Sequence, residues 1–213
     1  PSNVACRAML IPSENIYVLT NVKYVDMIKE QVPQINDEQI VPEPDMRNTA
    51  PSILLGALKI FKQNPKALTV VAPSDHWIKD EDEFIEAIQE AFNHVEHNDK
   101  LITLGIAPTF PNTGYGYIKY DKDEKETVKK VITFTEKPNE KKAREFLEAG
   151  NYVWNAGIFI WSAKFIIENF EEHIDPKDPT NNCLDVAIIT APEKRTKKTI
   201  KKLKTVAGRV LNK

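Results

Sequence analysis

Apolar residues come in two rhythms along the first half of the chain. Short runs at 16–19, 39–41, 68–72 and 101–105 suit buried strands, and between them apolar positions recur every three or four residues, as on one face of a helix. Thr20-Asn21 form a capping turn before Tyr24, Val25 and Ile28 at helical spacing. Asn48 or Thr49 can cap a second helix with Pro51 in its first turn, a stripe of Ile53, Leu54, Ala57, Leu58 and Phe61, and a stop at Asn64-Pro65. Asp80 with Glu81, Asp82 and Glu83 sets negative charge at the start of a third, whose stripe is Phe84, Ile88, Ala91, Phe92 and Val95. This alternation predicts βαβ units and a mostly parallel sheet.

The second half changes character. Residues 117–120 and 128–135, separated by the charged Asp121-Lys122-Asp123-Glu124-Lys125, predict an antiparallel pair with a solvated turn. Asn139 is placed to cap a helix that packs Ala143, Phe146 and Leu147 and stops at Gly150; residues 157–161 follow as a strand, and Ser162 caps a helix carrying Phe165, Ile166 and Phe170. The predicted fold is α/β, a Rossmann-like doubly wound sheet with a mixed edge. Residues 1–174 form its body, and 175–213 a basic C-terminal segment beginning at the breaker Asp175-Pro176-Lys177-Asp178-Pro179.

Composition narrows the partners. With 41% hydrophobic and 28% charged residues and a net charge of −2, the chain has the make-up of a soluble domain with no bulk attraction for nucleic acid or anionic membranes. Between Glu193 and Lys213 nine Lys or Arg face one acidic residue, but no aromatic residues interleave to stack on bases, so this reads as a solvated helix face or frayed end. Cys6 and Cys183 have neither disulfide-framework nor zinc-ligand spacing, which points to a reducing cytoplasm. No run reaches the roughly 18 apolar residues of a membrane span. Residues 1–4 do not start a signal peptide.

Four constellations could carry chemistry. The run 68–72 ends in Pro73-Ser74-Asp75-His76, a turn that exposes a carboxylate where open α/β sheets bind ligands, beyond the carboxyl ends of their strands. In Asn112-Thr113-Gly114-Tyr115-Gly116-Tyr117 paired glycines let the backbone approach a ligand closely, though a plain turn into a strand explains it as well. Phe134-Thr135-Glu136-Lys137-Pro138 sets an acid beside a base at a strand end, as many helix starts also do. Trp154-Asn155-Ala156-Gly157 brings a polar amide into a buried strand, where an Asn also serves as a backbone cap. His76 beside Asp75 reads as packed with its neighbour Trp77, and His94, His97 and His173 as solvated.

In this order and spacing, with Glu14 to Asn21 and Arg47-Asn48-Thr49-Ala50-Pro51 ahead of them, these segments resemble the nucleotide-sugar pyrophosphorylases. The resemblance runs from about Ile11 to Phe170 and is closest to the members that transfer a guanylyl group to mannose 1-phosphate. It implies the fold of the nucleotide-diphospho-sugar transferases, GTP and mannose 1-phosphate as substrates, GDP-mannose and pyrophosphate as products, and Mg²⁺ as cofactor. By matching motif it implies that Asp75 is a metal ligand at the nucleotide, that Asn48, Thr49 and Ala50 form part of the guanine pocket, and that Gly114 and Gly116 let the backbone meet the sugar. Glu136 would accept from sugar hydroxyls, Lys137 pair with the sugar phosphate, and Asn155 hold the sugar. Such transfer is catalysed mostly by positioning and cationic neutralisation.

Two parts of that pattern are absent. No Gly-rich, Arg-containing phosphate loop precedes Ile16. After Asn155 the family's Asp-Tyr-Ala motif has only a loose counterpart in Leu184-Asp185-Val186-Ala187, which leaves Asp185 as a candidate for a second metal or sugar ligand, and the Trp-Ser-Asp stretch that carries the second metal carboxylate has no counterpart. With Pro1 in place of an initiating Met, these gaps lead to the expectation of a chain that is part of a longer enzyme. The alternatives are a catalytically inactive sugar-phosphate-binding domain with a regulatory or scaffolding role, and a pyrophosphorylase for another nucleotide sugar. The sequence allows a homodimer without specifying one.

Overall fold

The computed structural model describes residues 11–43, 49–173 and 186–190. Among them run β1 (Val18–Asn21), α1 (Val25–Gln31), β2 (Ile40–Glu43), α2 (Thr49–Gln63), β3 (Leu68–Val71), α3 (Glu81–His97) and β4 (Leu101–Ile106). Then come β5 (Tyr117–Tyr120), β6 (Val128–Thr135), α4 (Glu140–Ala149), β7 (Tyr152–Ser162), α5 (Ala163–His173) and β8 (Val186–Thr190). Asn48, Cys6, Cys183, Asp185 and the basic residues 193–213 lie outside the described residues.

Local chemistry sets the helix ends. The Asp80 carboxylate accepts the Glu83 N–H at 3.0 Å, and the acidic first turn of α3 meets the positive end of the helix dipole. Asn139 accepts from Lys142 N–H to start α4, which ends where Gly150 takes φ +63° and Lys122 Nζ donates to the Ala149 carbonyl. Ser162 Oγ accepts the Phe165 N–H at the start of α5. In the α2 stripe Ile53 and Ala57 are buried, while Leu58 is exposed. Early in the chain Asp37 bonds Lys29 at 2.9 Å and, by that hydrogen bond and then by charge, holds the ammonium above its ordinary pKa.

The core has two sides. Ile102, Leu104, Ala156, Ile158 and Ile160 turn to Ile88, Ala91, Phe92 and Val95 of α3; Leu101 and Trp161 turn to Ile53 and Ala57 of α2 and Ile166 of α5. Helices therefore cover both faces of the sheet, as a doubly wound fold requires. Ile102 and Ile160 are fully buried, each contributing about 1.5–3 kcal/mol.

The strand directions differ from the expectation. β1 and β2 pair in parallel in a sheet of their own, and the six-stranded sheet has the order β3-β7-β4-β8-β6-β5, with β5 also pairing β7. Only β4 and β8 pair in parallel there; the other ladders are antiparallel. The reason is β7, an 11-residue strand that inserts antiparallel between β3 and β4 and so separates two strands that point the same way. The mixed character thus runs through the centre of the sheet instead of its edge. β8, within the segment expected to follow the domain, lies between β4 and β6.

Candidate active site

The long β7 builds the site. On one edge Phe159 to Ser162 pair with β3, and Tyr152 to Trp154 pair with β5; the opposite edge carries β4. β3 runs toward β5, so a gap opens between the carboxyl end of β3 at Val71 and the amino end of β5 at Tyr117, along residues 155–158. β6 ends there as well, because Thr135 pairs with Tyr117. Three chain segments therefore meet at this stretch of β7: the turn after β3 with Asp75, the loop into β5 with Gly114 and Gly116, and Glu136-Lys137 leaving β6.

Along the gap β7 is bulged. Thr103 and Gly105 of β4 lie opposite Phe159 and Asn155, so two residue steps on β4 face four on β7. Gly157 absorbs the excess at φ +65°, a conformation that costs a side-chain-bearing residue energy and glycine almost none. The atoms freed by the bulge are answered by side chains. Asn155 Oδ1 accepts the Gly157 N–H at 3.0 Å, and the Thr103 hydroxyl lies 3.0 Å from the Ile158 carbonyl and 3.2 Å from Asn155 Oδ1.

Gly116, Glu136, Lys137 and Asn155 come together. Asn155 N–H donates to the Gly116 carbonyl at 2.8 Å, and Gly116 itself is buried against the Glu136 carboxylate, the Phe134 ring and Asn155 Cβ. Lys137 Nζ lies 3.5 Å from Glu136 Oε1 with both side chains 65% exposed; a pair in that setting is worth about 0–1 kcal/mol, so either partner is free to turn to a ligand. Lys137 also has φ +38°, the one side-chain-bearing residue in the left-handed region among those described.

The loop before β5 is stiffened from within. Asn112 Oδ1 accepts the Gly114 N–H at 2.7 Å, buried Tyr117 donates its hydroxyl to the Asn112 carbonyl at 2.9 Å, and Phe110 and Tyr115 each pack on the Trp154 ring with centroids 5.2 Å apart. Gly114 stays exposed in this loop.

Asp75 is exposed in its turn, two residues beyond Pro73, whose Cγ sits 3.6 Å from the place of a Cβ on Gly157. No group of three or more acidic, His or Cys side chains suited to a metal occurs among the described residues. Trp77, expected to be packed beside His76, is 76% exposed, while His76 is half-buried. Thr49 and Ala50 open α2, which Ser52 Oγ ties to β2 by donating to Glu43 Oε1 at 2.7 Å. The parts played by Thr103, Gly157 and Tyr117 go beyond what the sequence suggests. Gly157 alone leaves a trace there, as a glycine inside an apolar run.

Residues 3–187 match the nucleotidyl transferase family. The chain belongs to it. This nucleotidyl transferase is 39% identical over 162 residues to a mannose-1-phosphate guanylyltransferase of Salmonella montevideo, covering 72% of this chain and 34% of that protein. It is 38% identical over 171 residues to the alginate biosynthesis protein AlgA of Pseudomonas syringae pv. tomato, covering 78% and 35%. The chain thus spans about a third of the length of the curated relatives it matches. The fold agrees with that of a crystal structure described as a mannose-1-phosphate geranyltransferase from Thermus thermophilus, at a TM-score of 0.78 and 24% identity, covering 89% of this chain and 63% of that one.

Proposed function

We propose that this nucleotidyl transferase is the catalytic core of an enzyme that transfers a guanylyl group from GTP to mannose 1-phosphate. The observation that carries the reading is the meeting of Gly116, Glu136, Lys137 and Asn155 at the gap in β7, one strand end away from Asp75. The names of the relatives support the substrates.

In this reading a phosphate oxygen of mannose 1-phosphate attacks the α-phosphorus of GTP; the new O–P bond forms as the α–β bridging bond breaks, and pyrophosphate departs with its electron pair. The exchange needs no protein nucleophile. Lys137 holds the sugar phosphate and offsets the repulsion between two anions, while Glu136 accepts from sugar hydroxyls and Asn155 donates its amide hydrogens to sugar oxygens. Gly114 and Gly116 admit the sugar, and Thr49 and Ala50, with Asn48 before them, border the base.

Mg²⁺ fits the donor at hand. It takes one or two carboxylates, several waters and substrate phosphates in place of an all-protein cage, and Asp75 offers one exposed carboxylate at the sheet's ligand end. Bound there, the ion would supply positive charge to the phosphates. Among the described residues no helix is long and apolar enough to cross a membrane, and the cytoplasm, with its GTP, is the compartment we assign.

The test is turnover by the full chain with GTP, mannose 1-phosphate and Mg²⁺. GDP-mannose and pyrophosphate should appear in equal amounts. Binding of GDP-mannose with no turnover would leave an inactive binding domain, and faster turnover with UTP or dTTP would move the enzyme to another nucleotide sugar.

A further inference from the structure

We infer that Thr103 is a positioning residue, whose hydroxyl holds the β7 bulge and sets the Asn155 carboxamide so that its Nδ2 hydrogens are offered to ligand. Thr103 is fully buried between Ile102 and Leu104 on β4. At such a place Val would fill the same space with no polar atom to satisfy, and a hydroxyl is tolerated only when bonded. Here it is bonded to the two groups that the bulge creates. Ile158 pairs with no residue of β3 or β4, and the hydroxyl reaches its carbonyl at 3.0 Å and Asn155 Oδ1 at 3.2 Å.

The orientation of the amide follows from donor and acceptor chemistry. A backbone N–H can only donate, so the Asn155 atom 3.0 Å from Gly157 N is the carbonyl oxygen and not the nitrogen. The Thr103 hydroxyl has one hydrogen, which the same oxygen and the Ile158 carbonyl share. Both restraints fall on Oδ1, which leaves Nδ2 as the donor presented outward. Removing the hydroxyl frees the bulge on one side and the amide on the other. Thr69 is the internal control: it is also buried, and its hydroxyl also bonds a β7 carbonyl, Trp161 O at 3.2 Å, but in the regular β3 ladder away from the bulge.

The consequence for catalysis rests on the reading of Asn155 as a sugar ligand, and the test separates the two claims. In the ligand-free, ¹⁵N-labelled full chain, Thr103→Val should shift the Asn155 side-chain amide resonances and speed exchange of the Gly157 N–H, while Thr103→Ser should restore both and Thr69→Val should move neither. In turnover, Thr103→Val should raise KM for mannose 1-phosphate about tenfold, the loss of one hydrogen-bond equivalent, and leave KM for GTP within about twofold. Unmoved Asn155 and Gly157 signals in Thr103→Val, or equal movement in Thr69→Val, would overturn the inference. If Asn155→Ala leaves KM for mannose 1-phosphate unchanged, the sugar-ligand reading fails instead, and the resonance shifts still decide the role of Thr103.

Discussion

A Cβ placed on Gly116 would stand 2.9 Å from Glu136 Oε2, so the absence of a side chain at one residue is what lets the carboxylate of the other lie against the backbone. The next neighbours, Phe134 Cε1 at 3.5 Å and Asn155 Cβ at 3.7 Å, are at ordinary contact distance. The obstructing atom is the end of a flexible, exposed side chain. Gly116→Ala should therefore fold normally, with a stability change within about 1 kcal/mol. It should displace Glu136 and raise KM for mannose 1-phosphate. Thermal unfolding together with substrate-dependence curves checks the split; a KM equal to wild type would detach Glu136 from the sugar.

Lys137 carries two burdens on one residue, a charge for the ligand and a backbone in the left-handed region. Side-chain-bearing residues held there cost on the order of 1–3 kcal/mol, and glycine escapes most of it. Lys137→Gly should unfold at a higher temperature than Lys137→Ala, by an amount equivalent to about 1 kcal/mol. Both should lose transfer by about a hundredfold or more, since neither supplies the cation. Equal melting temperatures would mean that the neighbouring chain relaxes without cost.

Much of this arrangement is visible in the chain as written, and the limits have a physical cause. Local signals hold up: the caps Asn139 and Ser162, the acidic helix start at Asp80, the stop at Gly150, the stripe on α3, and the hairpin of β5 and β6 all depend on residues close together along the chain. Direction and insertion are nonlocal. Nothing in residues 157–161 tells that the strand begins at Tyr152, runs antiparallel, and enters between β3 and β4. The site follows the same division: Glu136, Lys137 and Asn155 are polar residues at strand ends and stand out, whereas Thr103 hides in an apolar run where a β-branched residue is expected. Its partner Asn155 is 52 positions away. Trp77 misleads because a large aromatic residue is usually covered, and the turn after β3 leaves this one bare.

Gly157 ties the bulge to the turn after β3. At φ +65° a Cβ is strained whatever the room, and this one would also press toward Pro73 Cγ at 3.6 Å, a distance that is itself tolerable. The cost of Gly157→Ala should thus come from the backbone, about 1–2 kcal/mol. Because the Gly157 N–H is the donor that orients Asn155, transfer should fall with it. Urea unfolding and initial rates measured side by side test this. An Ala variant of full stability would show that the bulge tolerates a right-handed residue, and would remove the reason given for glycine.

Asp75 separates binding from stability most cleanly. It lies in an exposed turn beyond β3, outside the hydrophobic core clusters and without an ion pair among the described residues. Asp75→Ala should then change unfolding free energy by no more than about 0.5 kcal/mol, the usual range for exposed positions. If its carboxylate holds Mg²⁺ at the nucleotide phosphates, the same substitution should abolish the gain in GDP-mannose affinity that the ion produces and leave the ion-independent part in place. Isothermal titration of GDP-mannose with and without Mg²⁺, in the parent chain and the variant, measures both parts at once. A dependence on Mg²⁺ that survives the substitution would refute the metal role and return Asp75 to an ordinary solvated turn. Loss of the ion-independent part as well would mean that the turn itself shapes the nucleotide pocket, and Asp75→Asn, which keeps the side chain's size and removes its charge, would then tell shape from charge.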